Sequence, residues 1–69
     1  MGKKIKTVLL LRDALFNFVE KQTFDSRKEA MEYAIRMHNE RKASMCAFVK
    51  EENYSPYFDY KYKFISTLK

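Results

Sequence analysis

Cys46 and His38 are the one cysteine and the one histidine of the chain, eight residues apart. A thiol beside an imidazole is the smallest nucleophile–base pair, provided that a third group orients the base. The surroundings point to a plainer role. Cys46 lies in the apolar run SMCAFVK, where a buried thiol is inert. His38 falls at the edge of an apolar helix face, where an imidazole packs. Glu51 and Glu52 adjoin in a turn and read as solvated charge. No GxxxxGK[ST], GxGxxG or HExxH is present. A structural zinc needs about four N or S ligands, and Cys46 and His38 are the two on offer. The sequence predicts no enzyme, no cofactor and no metal.

A second kind of chemistry is suggested by YFDYKYKF, residues 57–64, which interleaves five aromatic rings with Lys61 and Lys63. Bases of a single strand stack on aromatic rings while lysines follow the phosphates, each stacked base contributing about 1–3 kcal/mol. Strict alternation works against that use. In a strand it sends rings and lysines to opposite faces. Phe58, Tyr60, Tyr62 and Phe64 would face a covering helix, and Lys61 and Lys63 would face water. Tyrosines left uncovered would instead suit a protein interface. The candidate partner-binding set is therefore Tyr57, Tyr60, Lys61, Tyr62 and Lys63.

Those side chains need a scaffold, and the chain has 69 residues to build one. This is a single domain, residues 1–69, with a marginal core, since a chain of about 60 residues buries only about 60% of its unfolded surface. A lone cysteine forms no disulfide within the chain and points to the reducing cytoplasm. A second copy of the chain is then the expected staple, giving a homodimer. Aromatic residues make up 16% of the chain, against one glycine and one proline. Eleven aromatic side chains exceed the needs of a small interior, so some belong to an interface. The apolar run in MGKKIKTVLLL is too short for a membrane span or a signal peptide.

The net charge of +5 is unevenly placed: +4 in residues 1–12, −2 in residues 13–40 and +3 in residues 41–69. Basic ends attract an acidic protein surface or a nucleic acid, and they also keep small proteins apart in solution.

The clearest element is the helix of SRKEAMEYAIRMHNERK, from Ser26 to Lys42. Ser26 and Glu29 make an S-x-x-E capping box. Ala30, Met31, Ala34, Ile35, Met37 and His38 recur at helical spacing. SMCAFVK follows as a strand, then a turn around Pro56, then the alternating strand of residues 57–64, paired with it as an antiparallel hairpin. The N-terminal third reads two ways. KIKTVLLL and FNFVEKQ form two strands, or Thr7 caps a helix over Val8–Gln22. The absence of a glycine near Arg12 and Asp13 weakens the hairpin. The continuous VLLL and the F-x-F weaken the helix and tip the balance to strands. The expected fold is α+β, a three- or four-stranded antiparallel sheet on one amphipathic helix.

Two families share features with these residues. Ser26, Arg27, Glu29, Ala30, Met31, Ala34, Ile35 and Arg36 resemble the opening of the second helix of ribbon-helix-helix DNA-binding regulators. The resemblance spans residues 3–42 and implies a dimer whose N-terminal strands enter the major groove. Lys4 and Lys6 would then contact DNA, and Ser26 and Arg27 would hold a phosphate. The glycine usual between the two helices of that family is replaced by TFD. The order strand, F-x-S-x-x-E-A and more strands, with Phe24, Ser26, Glu29 and Ala30 in place, resembles the small α+β proteins with which bacteriophages bind and block host enzymes. That resemblance implies a protein-binding inhibitor acting on an acidic surface.

Overall fold

VLLL is apolar at every position, so a strand made of it must be covered on both faces. The computed structural model, which describes residues 6–68, shows this arrangement. Strand β1, Thr7–Arg12, lies between β2, Phe18–Phe24, and β3, Met45–Lys50. A two-residue strand β4, Lys63–Phe64, pairs with the start of β3. The sheet order is β2-β1-β3-β4 and every pairing is antiparallel. Helix α1, Arg27–Asn39, covers one face. The chain is thus a four-stranded α+β fold, and strands rather than a helix occupy the span from Val8 to Gln22.

Leu9 and Leu11 point to the helix and pack with Ala30, Ala34, Met37, Cys46 and Ile65. Val8 and Leu10 point the other way and pack with Ala47. The two alanines of α1 are fully buried and one turn apart, so the helix backbone comes close to the leucines. The Tyr33 hydroxyl donates to the Glu20 carboxylate at 2.8 Å and ties α1 to β2, and this bond with the Glu20 charge raises the Tyr33 pKa.

Both ends of α1 have side-chain or backbone reasons. At the N-terminus, Ser26 Oγ accepts the Glu29 amide at 3.2 Å. At the C-terminus, the Arg41 amide donates to the His38 carbonyl and the Lys42 amide to the Met37 carbonyl, both at 2.9 Å. This is the Schellman pattern, with Arg41 at φ 60° where a glycine usually sits. The helix therefore stops at Asn39, three residues before the expected Lys42.

The β1–β2 turn also closes without glycine. Asp13 Oδ1 accepts the amides of Leu15 and Asn17, each at 2.9 Å. Phe16 takes the left-handed conformation at φ 65°. The register shifts between Leu11 and Arg12, leaving Val19 as the extra residue of a bulge.

The last strand departs from expectation. Residues 57–64 alternate as a strand should, yet only Lys63 and Phe64 pair, with Cys46 and Met45. Residues 54–62 leave the edge of β3 and cross the face opposite the helix, where Tyr54, Tyr60 and Tyr62 pack on Val8, Leu10 and Ala47. The tyrosines do not look inward at α1. One helix covers one face of β1, and this segment covers the other. Phe58 and Phe64, expected to be inward, are 64% and 58% exposed.

Candidate partner-binding surface

The segment over the back face is held by its own side chains. The Ser55 amide donates to the Tyr60 hydroxyl at 2.6 Å, and that hydroxyl donates to the Asn53 carbonyl at 3.4 Å. The rings of Tyr54 and Tyr60 stack, 14° apart in plane, and Phe58 lies 4.8 Å from Tyr60. A groove of about 440 Å³ results, lined by Val49, Asn53, Ser55, Tyr57, Phe58 and Tyr60. Tyr57 stands 95% exposed at its rim.

The tip of the β1–β2 hairpin extends this surface. The Arg12 guanidinium lies between two rings, 4.4 Å from the Phe16 centroid and 4.9 Å from that of Tyr62. Its Nη1 donates to the Phe16 carbonyl at 2.7 Å. Phe18 and Phe58 line one cavity, which joins the hairpin to the segment over the back face. Lys21 Nζ lies 4.8 Å over the Tyr54 ring. Cations stacked on rings hold aromatic faces in fixed positions.

The five residues expected to bind a partner do not form one patch. Tyr57 and Tyr60 share the aromatic groove, and Tyr62 packs beside it with Arg12 and Phe16. Lys61 and Lys63 line a different cavity of about 250 Å³ with Arg27, Cys46, Ala47 and Phe48. Rings and lysines are separated, as alternation requires. Of the residues tied to DNA, Lys6 and Arg27 are exposed, and Lys4 lies outside the described residues. Arg27 sits 5.0 Å over Phe48 and joins the lysines of the last strand. Arg12, Phe16 and Phe18 were missed as site residues. The F-x-F four residues after Arg12 was their one signal, and only the sheet register brings them to the segment over the back face.

Cys46 is buried, 1% exposed. Burial pushes its thiol from 9.0 up to about 11, opposed by the Lys63 and Arg27 charges. A raised pKa keeps the native thiol protonated after the unfolded one has ionised. Its contribution to stability is whole below pH 9 and is lost as pH rises toward 11, at up to about 1.4 kcal/mol per unit. Urea melts of the parent chain and of Cys46→Ala should therefore converge or cross over that interval. Parallel pH profiles of the two would show that the thiol is not desolvated. Among the described residues no three His, Cys, Asp or Glu side chains gather as a metal site. No described helix is long and apolar enough to cross a membrane.

No family model, curated protein or solved structure matches this chain.

Proposed function

We propose that this chain is a non-enzymatic protein-binding module whose contact surface is the aromatic groove of Tyr57, Phe58 and Tyr60 with the adjoining hairpin tip. One observation carries the reading. Leu15, Phe16, Phe18, Tyr57, Phe58 and Phe64 are all exposed in a domain this small, with Leu15 at 82% and Tyr57 at 95%. Phe58 shares a groove with Tyr57 and a cavity with Phe18, and Phe16 meets Tyr62. Large apolar side chains gathered at a surface in this way mark an interaction site. Tyrosine and phenylalanine on a rigid platform contribute contact area at low entropic cost. In its finer form, the module blocks a host enzyme in the manner of small phage α+β proteins, with the basic ends steering it to an acidic surface.

Duplex DNA binding through Lys4, Lys6 and Arg27 is the competing proposal. The ribbon-helix-helix arrangement needs a helix before Ser26, and β1 with β2 fills that span. The protein-binding reading has no such conflict. A second copy of the chain is one partner the groove could take, and sedimentation across a concentration series would reveal it.

The reading is tested by panning a random peptide library on the immobilised chain. Selected peptides should share an aromatic or large apolar anchor. Their affinity should fall at least ~30-fold on the double variant Tyr57→Ser, Phe58→Ser. Peptides that bind the double variant as well as the parent would sink it. Fluorescence anisotropy with random duplex DNA over a salt series tests the competitor. Regulator-like binding would weaken with a log–log slope of about −0.9 per phosphate neutralised.

A further inference from the structure

The outer edge of β3 is open over half its length. β1 pairs with β3 from Met45 to Lys50, but β4 takes only Met45 and Cys46. The direction of each backbone group follows from two bonds. The Glu51 amide donates to the Lys6 carbonyl at 2.8 Å, and the Ile65 amide donates to the Ser44 carbonyl at 2.9 Å. In an antiparallel ladder the bonding direction alternates along the strand. Ala47 and Val49 therefore bond toward β1, while Cys46, Phe48 and Lys50 face outward. β4 satisfies Cys46. Among the described residues no strand satisfies Phe48 or Lys50, because the chain ahead of Lys63 has turned away to the back face.

Two cavities flank this gap. One, about 250 Å³, is lined by Arg27, Cys46, Ala47, Phe48, Lys61 and Lys63. The other, about 200 Å³, is lined by Thr7, Arg27, Phe48, Val49 and Lys50. They share Phe48 and the guanidinium stacked on it. Four cations line the pair and no carboxylate does; Glu51, Glu52 and Asp59 border neither. Among the described residues the long outer edge of β2 is unpaired as well, but it carries mixed charge in Glu20 and Lys21. An unpaired strand edge is a template for another strand. The charge around this one selects what it accepts.

We propose that an extended acidic segment of a partner protein adds as a short strand to β3 at Phe48–Lys50. Its backbone bonds to the outward groups of Phe48 and Lys50, and its carboxylates meet Arg27, Lys50, Lys61 and Lys63. The proposal rests on the protein-binding reading and names the partner's chemistry. Val49 lines both the second cavity and the aromatic groove, so one partner reaches both.

The test separates backbone from charge. Lys50 has φ −65°, the angle of a proline ring, and its amide makes no bond to β1. Lys50→Pro thus removes the outward donor and the charge without breaking the ladder, whereas Lys50→Ala removes the charge alone. The probes are fluorescein-labelled peptides, one alternating Asp and Val, the other Lys and Val. The Asp peptide should bind and the Lys peptide should not. The Phe48 and Lys50 amide resonances of the parent should shift and gain protection from solvent exchange. Lys50→Pro should bind about five- to tenfold more weakly than Lys50→Ala. Equal affinity of the two variants overturns strand addition, as does a complex in which the Phe48 amide stays unperturbed. Preference for a single-stranded oligonucleotide over the Asp peptide also overturns it. None of these outcomes touches the aromatic groove, whose own failure is read from the Tyr57→Ser, Phe58→Ser variant.

Discussion

Leu9→Ala is expected to cost about 2–5 kcal/mol and to lower Tm by more than about 10 °C. Leu9 is fully buried in β1, which is paired on both sides. Its side chain meets the face of α1 that carries Ala30, Ala34 and Met37. The space left by truncation has little to fill it. Two of the three facing residues of the helix are already alanines, and β1 is held in register by β2 and β3. A chain of this length has about 3–10 kcal/mol of stability in all, so the loss is a large share of the whole. Thermal unfolding followed by circular dichroism measures it. A fall of less than about 5 °C would mean that the helix-side core is not what holds the domain together.

The same strand shows what the sequence made legible. VLLL tipped an ambiguous span from helix to strand, without telling that both faces of the strand would be covered, and α1 was marked at its start by Ser26 and along its length by the alanines and Met37. The antiparallel sheet on one helix followed from these. The glycine-free turns were harder to read. Asp13 supplies by side-chain bonds what a glycine supplies by freedom, and Arg41 and Phe16 accept left-handed backbone that glycine would take more easily. The alternation in residues 57–64 was real, but period two describes any extended segment, paired or not. Only the second bare face of β1 decides that Tyr60 and Tyr62 lie across the sheet instead of along its edge. The candidate site was half legible for the same reason. Tyr57 and Tyr60 were named from the sequence, while Arg12, Phe16 and Phe18 join them through a register that no local pattern records.

If the aromatic groove is the contact surface proposed above, the two faces of β1 divide stability from recognition, and Tyr60→Ala is the substitution that should separate them. Tyr60 stacks on Tyr54, touches Phe58 and ties Ser55 and Asn53 through its hydroxyl. Removing it takes away one wall of the groove and the fastening of the segment that forms the rest. Affinity for library-selected peptides should fall at least ~30-fold. The helix-side core does not include Tyr60, so α1 and the sheet should persist. Cys46 reports on this directly: buried in that core, it should stay as slow to react with a thiol reagent as in the parent. Tyr60→Phe keeps the wall and loses the hydroxyl bonds, at about 1 kcal/mol in stability, and should bind within a few-fold of the parent. If Tyr60→Ala binds like the parent while Cys46 stays protected, the groove is not the contact surface. If Cys46 becomes reactive in Tyr60→Ala, the two faces are one cooperative core. The tyrosines would then hold the fold as firmly as Leu9 does.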